Sequence, residues 1–121
     1  MSKVLLFFTS TELIRVPADA VVFVTADGNY SAITMADGSE YVLTLQLGQI
    51  EKRISEVVDN GDNRFIRIGK SIIINREFIT FVNPSRQKLT LSDGRSFRHE
   101  VSASREALKA LKELIEKEAE K

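Results

Sequence analysis

Residues 64–76 carry four positive charges and no negative charge. Two arginines lie before Gly69, and Lys70 and Ser71 follow it directly, so a short polar loop interrupts apolar residues that are typical of strands. Ammonium, guanidinium and hydroxyl groups can donate hydrogen bonds to phosphate oxygens and to acceptor atoms on base edges. Such a loop suits nucleic acid, although charge alone is equally compatible with a solvated strand face that carries scattered basic residues.

The charges are unevenly distributed along the chain, although 17 Lys and Arg balance 17 Asp and Glu. Residues 1–63 contain four cations and nine acids, for a net charge of −5. Residues 64–105 contain nine cations and three acids, for a net charge of +6, and residues 106–121 have a net charge of −1. The zero total therefore conceals a basic middle segment.

The composition indicates one domain, residues 1–121, because 43% hydrophobic residues suffice for the core of a 121-residue chain. The absence of cysteine excludes disulfides, thiolate metal sites and cysteine nucleophiles, and fits a reducing compartment. The first apolar run, residues 4–8, is too short for a signal peptide, and no segment is apolar enough to span a membrane. We expect a cytoplasmic protein with no membrane partner.

Short runs of β-branched and aromatic residues, separated by turn residues, predict about ten mainly antiparallel strands. Turn sequences such as Asp27-Gly28 and Asp93-Gly94 supply the backbone angles that tight turns need. The predicted strands are residues 4–8, 13–16, 21–25, 30–35, 40–43, 65–68, 72–75, 79–82, 88–91 and 96–101.

Two segments change to a helical period. An apolar stripe predicts a helix over residues 46–58, which Asn60-Gly61 would end. A second stripe predicts a C-terminal helix capped by Ser102 or Ser104, with residues 116–121 as a frayed polar tail. The fold class is therefore α+β and mostly β, with one helix in the middle of the chain and one at its end.

Catalytic chemistry has few candidate residues. His99 is the only histidine, and without cysteine it lacks partners for a metal or nucleophilic site. The aspartates that could pair, Asp27 with Asp37 or Asp93, each precede a glycine in a predicted turn, which accounts for them. The six glycines form no phosphate-cradling motif. The sequence therefore predicts no cofactor and no enzymatic activity.

The segment over residues 65–75 resembles the signature of the LytTR family of bacterial DNA-binding domains, F-x-R-x-H-[RK]-S-[aromatic or aliphatic]-[LIV]-[LIV]-N. Residues 26–33 resemble the strand-turn-strand that lies upstream in that family, and the similarity extends over about residues 10–115. Gly69 stands where the family commonly has histidine. The residues that match the signature are Phe65, Arg67, Lys70, Ser71 and Asn75.

The resemblance implies a mostly antiparallel β fold whose loops, in place of a recognition helix, enter neighbouring major grooves and read promoter repeats. By position, Asn29 and Tyr30 lie in the first base-contacting loop, Lys70 in the second and Arg105 in or near the third. Two residues have structural alternatives, since Arg67 could pair with a buried acid and Asn75 could cap a turn. The candidates for phosphate contact are Arg64, Arg67, Ser71, Arg86 and Arg98.

We therefore interpret the chain as a sequence-specific regulator of transcription that binds double-stranded DNA. The family domain is usually the output half of a response regulator, and from a length of 121 residues we expect no phosphoacceptor domain. A free-standing reader would be controlled by abundance, a partner protein, a ligand or self-association, with a second copy on repeated sites. The alternative is a protein-interaction module that kept the fold but lost DNA binding. A single-stranded nucleic-acid binder would need aromatic platforms that this sequence lacks.

Overall fold

The computed structural model of the protein describes residues 3–58 and 63–119. The predicted helix stop at residues 60–61 lies outside these ranges. The strands are β1 (Val4–Phe8), β2 (Leu13–Pro17), β3 (Val21–Asp27), β4 (Tyr30–Met35), β5 (Glu40–Leu43), β6 (Phe65–Ile68), β7 (Ile72–Asn75), β8 (Ile79–Asn83), β9 (Lys88–Ser92) and β10 (Arg98–Ser102). The helices are α1 (Leu47–Val57) and α2 (Arg105–Ala119), and short 3-10 turns cover Ala18–Ala20 and Arg76–Phe78.

Within the described residues, all strand pairs are antiparallel, and they form three sheets. The central sheet has five strands in the order β5-β4-β3-β7-β6. A hairpin of β1 and β2 and a three-stranded sheet in the order β10-β9-β8 make up the other two. The predicted fold class, a mostly antiparallel β fold with two helices, is confirmed.

The central sheet is the middle layer of the molecule, because its apolar side chains alternate between two buried clusters. Ile73 of β7 packs with residues of β1, β2 and α1 in one cluster. Its neighbours Ile72 and Ile74 pack with residues of β9 and α2 in the other. A strand that is buried on both faces reads as a continuous apolar run, as residues 72–74 do.

Side-chain caps fix the ends of several elements. Ser104, and not Ser102, caps α2, since its Oγ accepts a hydrogen bond from the Ala107 amide at 3.1 Å. The predicted start of the last strand at residue 96 is wrong, because the amides of Ser96 and Phe97 donate to Asp93 Oδ1 at 2.8 and 3.2 Å. These amides complete a turn, and β10 begins at Arg98.

The C-terminal helix is longer than the sequence predicts. Residues 116–119 continue α2 where a frayed tail was expected, and residues 120–121 lie outside the described ranges. Glu118 forms an ion pair with Arg76, and Lys112 pairs with Glu116 at 3.0 Å, so charged contacts hold the last turn. With 11 and 15 residues, the helices found in the described ranges lack the length and apolarity to cross a bilayer.

Candidate nucleic-acid interface

The turn between β3 and β4 presents the first pair of predicted base-contacting residues. Asp27 of β3 lies opposite Tyr30 of β4, and Gly28 has a φ of 63°, in the left-handed region that glycine adopts without strain. Both Asn29 and Tyr30 are exposed, and Tyr30 keeps 52% of its surface accessible. A large aromatic side chain at the base of a tight turn is therefore available for contact.

The turn between β6 and β7 presents Lys70, the predicted base-contacting residue of the second loop. Ile68 and Ile72 lie opposite each other, and Gly69, Lys70 and Ser71 between them are exposed. Gly69 has a φ of 60°, which glycine tolerates at no steric cost, and a Cβ added there would meet no atom within 4 Å. Glycine at this position is explained by backbone conformation, since the space around it is open.

These two turns lie side by side at one end of the central sheet. Strands β3 and β7 are hydrogen-bonded neighbours, with Thr25 opposite Ile72. One residue further on, the Ala26 amide donates to the Ser71 carbonyl at 2.9 Å. We call this end, formed by residues 27–30 and 69–71, the turn edge. The structure thus brings together residues that lie about 40 positions apart in the sequence.

Arg67 supports the turn edge from behind. Its Nη2 donates to the Lys70 carbonyl at 3.2 Å, while its Nη1 lies 3.0 Å from Glu51 Oε1 of α1. The side chain of Arg67 is 32% exposed and that of Glu51 is 50% exposed. The guanidinium therefore links helix α1 to the backbone of the turn. The alternative predicted a pair with a buried acid, whereas the acid that Arg67 contacts is half exposed. A phosphate contact by Arg67 stays a prediction.

The start of α2 lies next to the same edge. Arg67 and Gly69 line an apolar cavity of about 170 Å³ together with Ala107 and Ala110 of α2. Arg105, the first residue of α2, is exposed and precedes Ala107 by two positions. The third predicted base-contacting residue therefore belongs to the same corner of the molecule as the β6–β7 turn.

The β8–β9 turn adjoins this corner. Gln87 Nε2 donates to the Ala103 carbonyl at 3.5 Å, and Ser102 Oγ donates to the Gln87 carbonyl at 3.4 Å. Arg86, the neighbour of Gln87, is exposed. Arg98 lies farther away, at the opposite end of β10 from Ser102, and its Nη2 is 3.4 Å from Glu100 Oε1.

Two residues of the basic segment face away from the turn edge. Arg64 precedes β6 at the end of the strand opposite Gly69, is half-buried, and accepts a hydrogen bond from the Arg76 amide through its carbonyl. Asn75 is fully buried, donates from Nδ2 to the Val21 carbonyl at 2.8 Å, and accepts from the Glu77 amide at 3.0 Å. The alternative that Asn75 caps a turn is confirmed, and Arg64 is not brought to the predicted contact surface.

Local hydrogen bonds and packing account for the residues that the sequence analysis rejected as catalytic candidates. Hydrogen bonds from the Ser96 hydroxyl and the Arg95 amide hold the pKa of Asp93 well below its ordinary value. The Ser39 amide lowers the pKa of Asp37 in the same way. His99 packs against Phe23 with ring centroids 5.4 Å apart. Over residues 3–58 and 63–119, no group of three His, Cys, Asp or Glu side chains could hold a metal ion.

Glu51 and Gln87 are the positioning residues that sequence reasoning missed. Glu51 lies 16 residues before Arg67, and Gln87 lies 16 residues before Ala103. No local spacing in the sequence connects either residue to its partner. The only sequence signal was the alternative that Arg67 pairs with a buried acid, which did not indicate the half-exposed Glu51.

Comparison with known proteins identifies the family. The family described as the LytTr DNA-binding domain matches residues 11–116. A solved structure of the LytTr DNA-binding domain of a protein described as a methyl-accepting/DNA response regulator, from Bacillus cereus, has a similar fold, with a TM-score of 0.61 and 20% sequence identity. The similarity covers 93% of this chain and 96% of that one. No curated protein gives a significant match. The family match spans most of the chain, which therefore belongs to the LytTr family of DNA-binding domains.

Proposed function

We propose that this protein is a sequence-specific transcription regulator that reads repeats in promoter DNA by inserting the turn edge and the start of α2 into neighbouring major grooves. The observation that carries the proposal is the hydrogen bond between Ala26 and Ser71, which holds the two exposed turns side by side. Two protruding turns and a helix start on one side of a rigid sheet can follow a duplex surface without a recognition helix.

The side chains on this edge suit different parts of a duplex. Lys70 can donate to O6 and N7 of guanine, and the amide of Asn29 can pair with adenine. Tyr30 offers a hydroxyl donor together with an apolar ring, and Arg105 offers a bidentate guanidinium. Ser71 can donate to a phosphate oxygen. We assign Asn29, Tyr30, Lys70 and Arg105 to base contact on this basis.

We further propose that the protein acts in the cytoplasm and that two copies bind repeated sites. A near-neutral domain has little non-specific electrostatic attraction to DNA, so a second adjacent site adds affinity by mass action. Control would then come from abundance, a partner protein, a ligand or self-association.

Selection of bound sequences from a random duplex pool at near-physiological salt tests this proposal. We expect a defined base preference, and tighter binding to duplexes with two repeats than with one when both are measured at matched salt. Binding without any base preference would reject sequence-specific regulation. No binding at concentrations well above the non-specific range, about 10⁻⁴ to 10⁻⁶ M for DNA-binding proteins, would favour the protein-interaction module.

A further inference from the structure

The outer face of the three-stranded sheet carries cations that the turn edge does not include. Thr90 of β9 lies between Phe81 of β8 and Glu100 of β10, so these three side chains share one face. Lys88 and Arg98 lie two residues from Thr90 and Glu100 along their strands and therefore share this face. The opposite face holds Leu89 and Leu91, which are buried in the core. We call the outer face, with Arg86 of the adjoining turn, the basic flank.

The basic flank has more positive than negative charge. Its concave surface encloses about 350 Å³ and is lined by three cations, Arg86, Lys88 and Arg98, and by one carboxylate, Glu100. The Arg98–Glu100 pair spans 3.4 Å between side chains that are 67% and 51% exposed. Such an exposed pair contributes little stability and is screened by salt, so Arg98 can exchange Glu100 for another anion.

The other two cations have no competing contacts in the part of the chain that the structure describes. Within residues 3–58 and 63–119, the side chains of Arg86 and Lys88 make no hydrogen bond or ion pair to another side chain. Phe81 beside them is 45% exposed. A shallow concave surface with three cations beside an exposed aromatic ring fits a long polyanion, because such a ligand can contact all three cations at once.

The basic flank continues the proposed DNA-binding surface. Gln87, between Arg86 and Lys88, contacts Ala103, and Arg105 follows Ala103 by two positions. Cations therefore extend from the β6–β7 turn, past the start of α2, and along the outer strands. A duplex presents one negative charge per about 1.7 Å of its axis, so DNA that lies on the turn edge and extends past α2 would bring further phosphates to this face.

We propose that the basic flank binds backbone phosphates of double-stranded DNA outside the base pairs read by the turn edge. The inference rests on the proposed function, because the turn edge sets where the duplex lies. Its ligand is the phosphodiester backbone, with no dependence on base sequence. The flank would thus lengthen the DNA site and add affinity only when flanking base pairs are present.

Two duplexes separate the flank from the turn edge. One is trimmed to the selected base pairs, and the other extends them on both sides by a helical turn, about 10 base pairs. The test variant combines Arg86→Gln, Lys88→Gln and Arg98→Gln. A matched control removes three exposed charges from α2 with Lys109→Gln, Lys112→Gln and Lys117→Gln. Because Lys88 is half-buried, the pair Arg86→Gln and Arg98→Gln repeats the test with exposed positions only.

On the extended duplex, the flank variant should lose affinity about tenfold, and its salt dependence should flatten by about two to three units, close to 0.9 per lost phosphate contact. On the trimmed duplex, the flank variant and the wild type should bind equally, and the α2 control should match the wild type on both. Equal losses on the two duplexes, or the same loss in the α2 control, would overturn the proposal. The proposal would also be overturned if the flank variant bound inorganic polyphosphate more weakly than the wild type but bound the duplexes equally well.

The wild type distinguishes failure of this inference from failure of the proposed function. If it prefers the selected sequence on the trimmed duplex but gains nothing from extension, the flank proposal fails alone. If it shows no preference for the selected sequence but gains affinity with duplex length through the flank residues, sequence-specific reading fails and the flank stands.

Discussion

The two halves of the signature segment differ in exposure, although they are adjacent in sequence. Gly69, Lys70 and Ser71 form an exposed turn, whereas the following residues, Ile72–Asn75, are all buried in the central sheet. Asn75, the polar residue that ends the signature, uses its amide to join β3 and to cap the next turn. A family signature therefore combines residues that build the sheet with residues that face a ligand, and only burial separates the two groups.

The buried half should determine stability. Ile74 is fully buried, and truncation with Ile74→Ala should cost about 2 to 5 kcal/mol of the free energy of unfolding, since it removes apolar contacts and leaves a cavity. Ser71→Ala, in the exposed half, is the control and should change stability by no more than about 0.5 kcal/mol. Urea denaturation compares the two. An Ile74 variant as stable as the wild type would contradict the layered packing.

Asn75→Ala should destabilise the protein by about 1 to 3 kcal/mol, because the Val21 carbonyl and the Glu77 amide would lose their partner in a buried site. Asn29→Ala provides a comparison with an exposed asparagine and should leave thermal stability unchanged. If Asn75→Ala keeps the stability of the wild type but lowers DNA affinity, Asn75 belongs with the contact residues instead.

The exposed half should determine binding. Lys70→Ala should lower affinity for the selected duplex by about 1 to 3 kcal/mol and relax the preference at one base position, with stability unchanged. As a control, Lys52→Ala also removes one positive charge, but from α1, outside the turn edge. Fluorescence anisotropy on selected and random duplexes measures both. Equal weakening on the two duplexes would reassign Lys70 to phosphate contact.

The smallest expected effect concerns the support behind the turn. Glu51→Gln removes the ion pair with Arg67, and we expect a loss of up to about 1 kcal/mol in affinity for the selected duplex, as for other exposed pairs. Binding to random duplexes should not weaken. Glu56→Gln, also exposed on α1, removes an equal charge as a control. Tighter binding of Glu51→Gln to all duplexes would mean that Arg67 contacts phosphates once it is released.

The strands could be predicted because their signals are local. Apolar runs such as Ile72–Asn75 and turn sequences such as Asp27-Gly28 depend on residues within a few positions of each other. The errors arose where a distant or unusual partner decides the structure. Glu118 pairs with Arg76 across 42 positions and extends α2, while Asp93 draws the amides of residues 95–97 into a turn and delays β10.

The sequence proposed residues for the candidate site, and the structure shows how these residues are arranged. The resemblance indicated Asn29, Tyr30, Lys70 and Arg105 individually, and the structure places them on adjoining turns and a helix start. It could not indicate that Arg64 lies at the opposite end of β6, because strand direction depends on pairing with β7. The role of Arg67 in holding the turn depends on Glu51, which belongs to another layer of the fold.

Mapping of backbone amide chemical shifts by NMR, during titration with the selected duplex, tests the central claim most directly. The turn edge should show the largest changes, at residues 27–30 and 69–71, together with the start of α2, while the buried amides of Ile72–Asn75 should change less. Largest changes on α1 or on the β1–β2 hairpin, with the turn edge unaffected, would contradict the account.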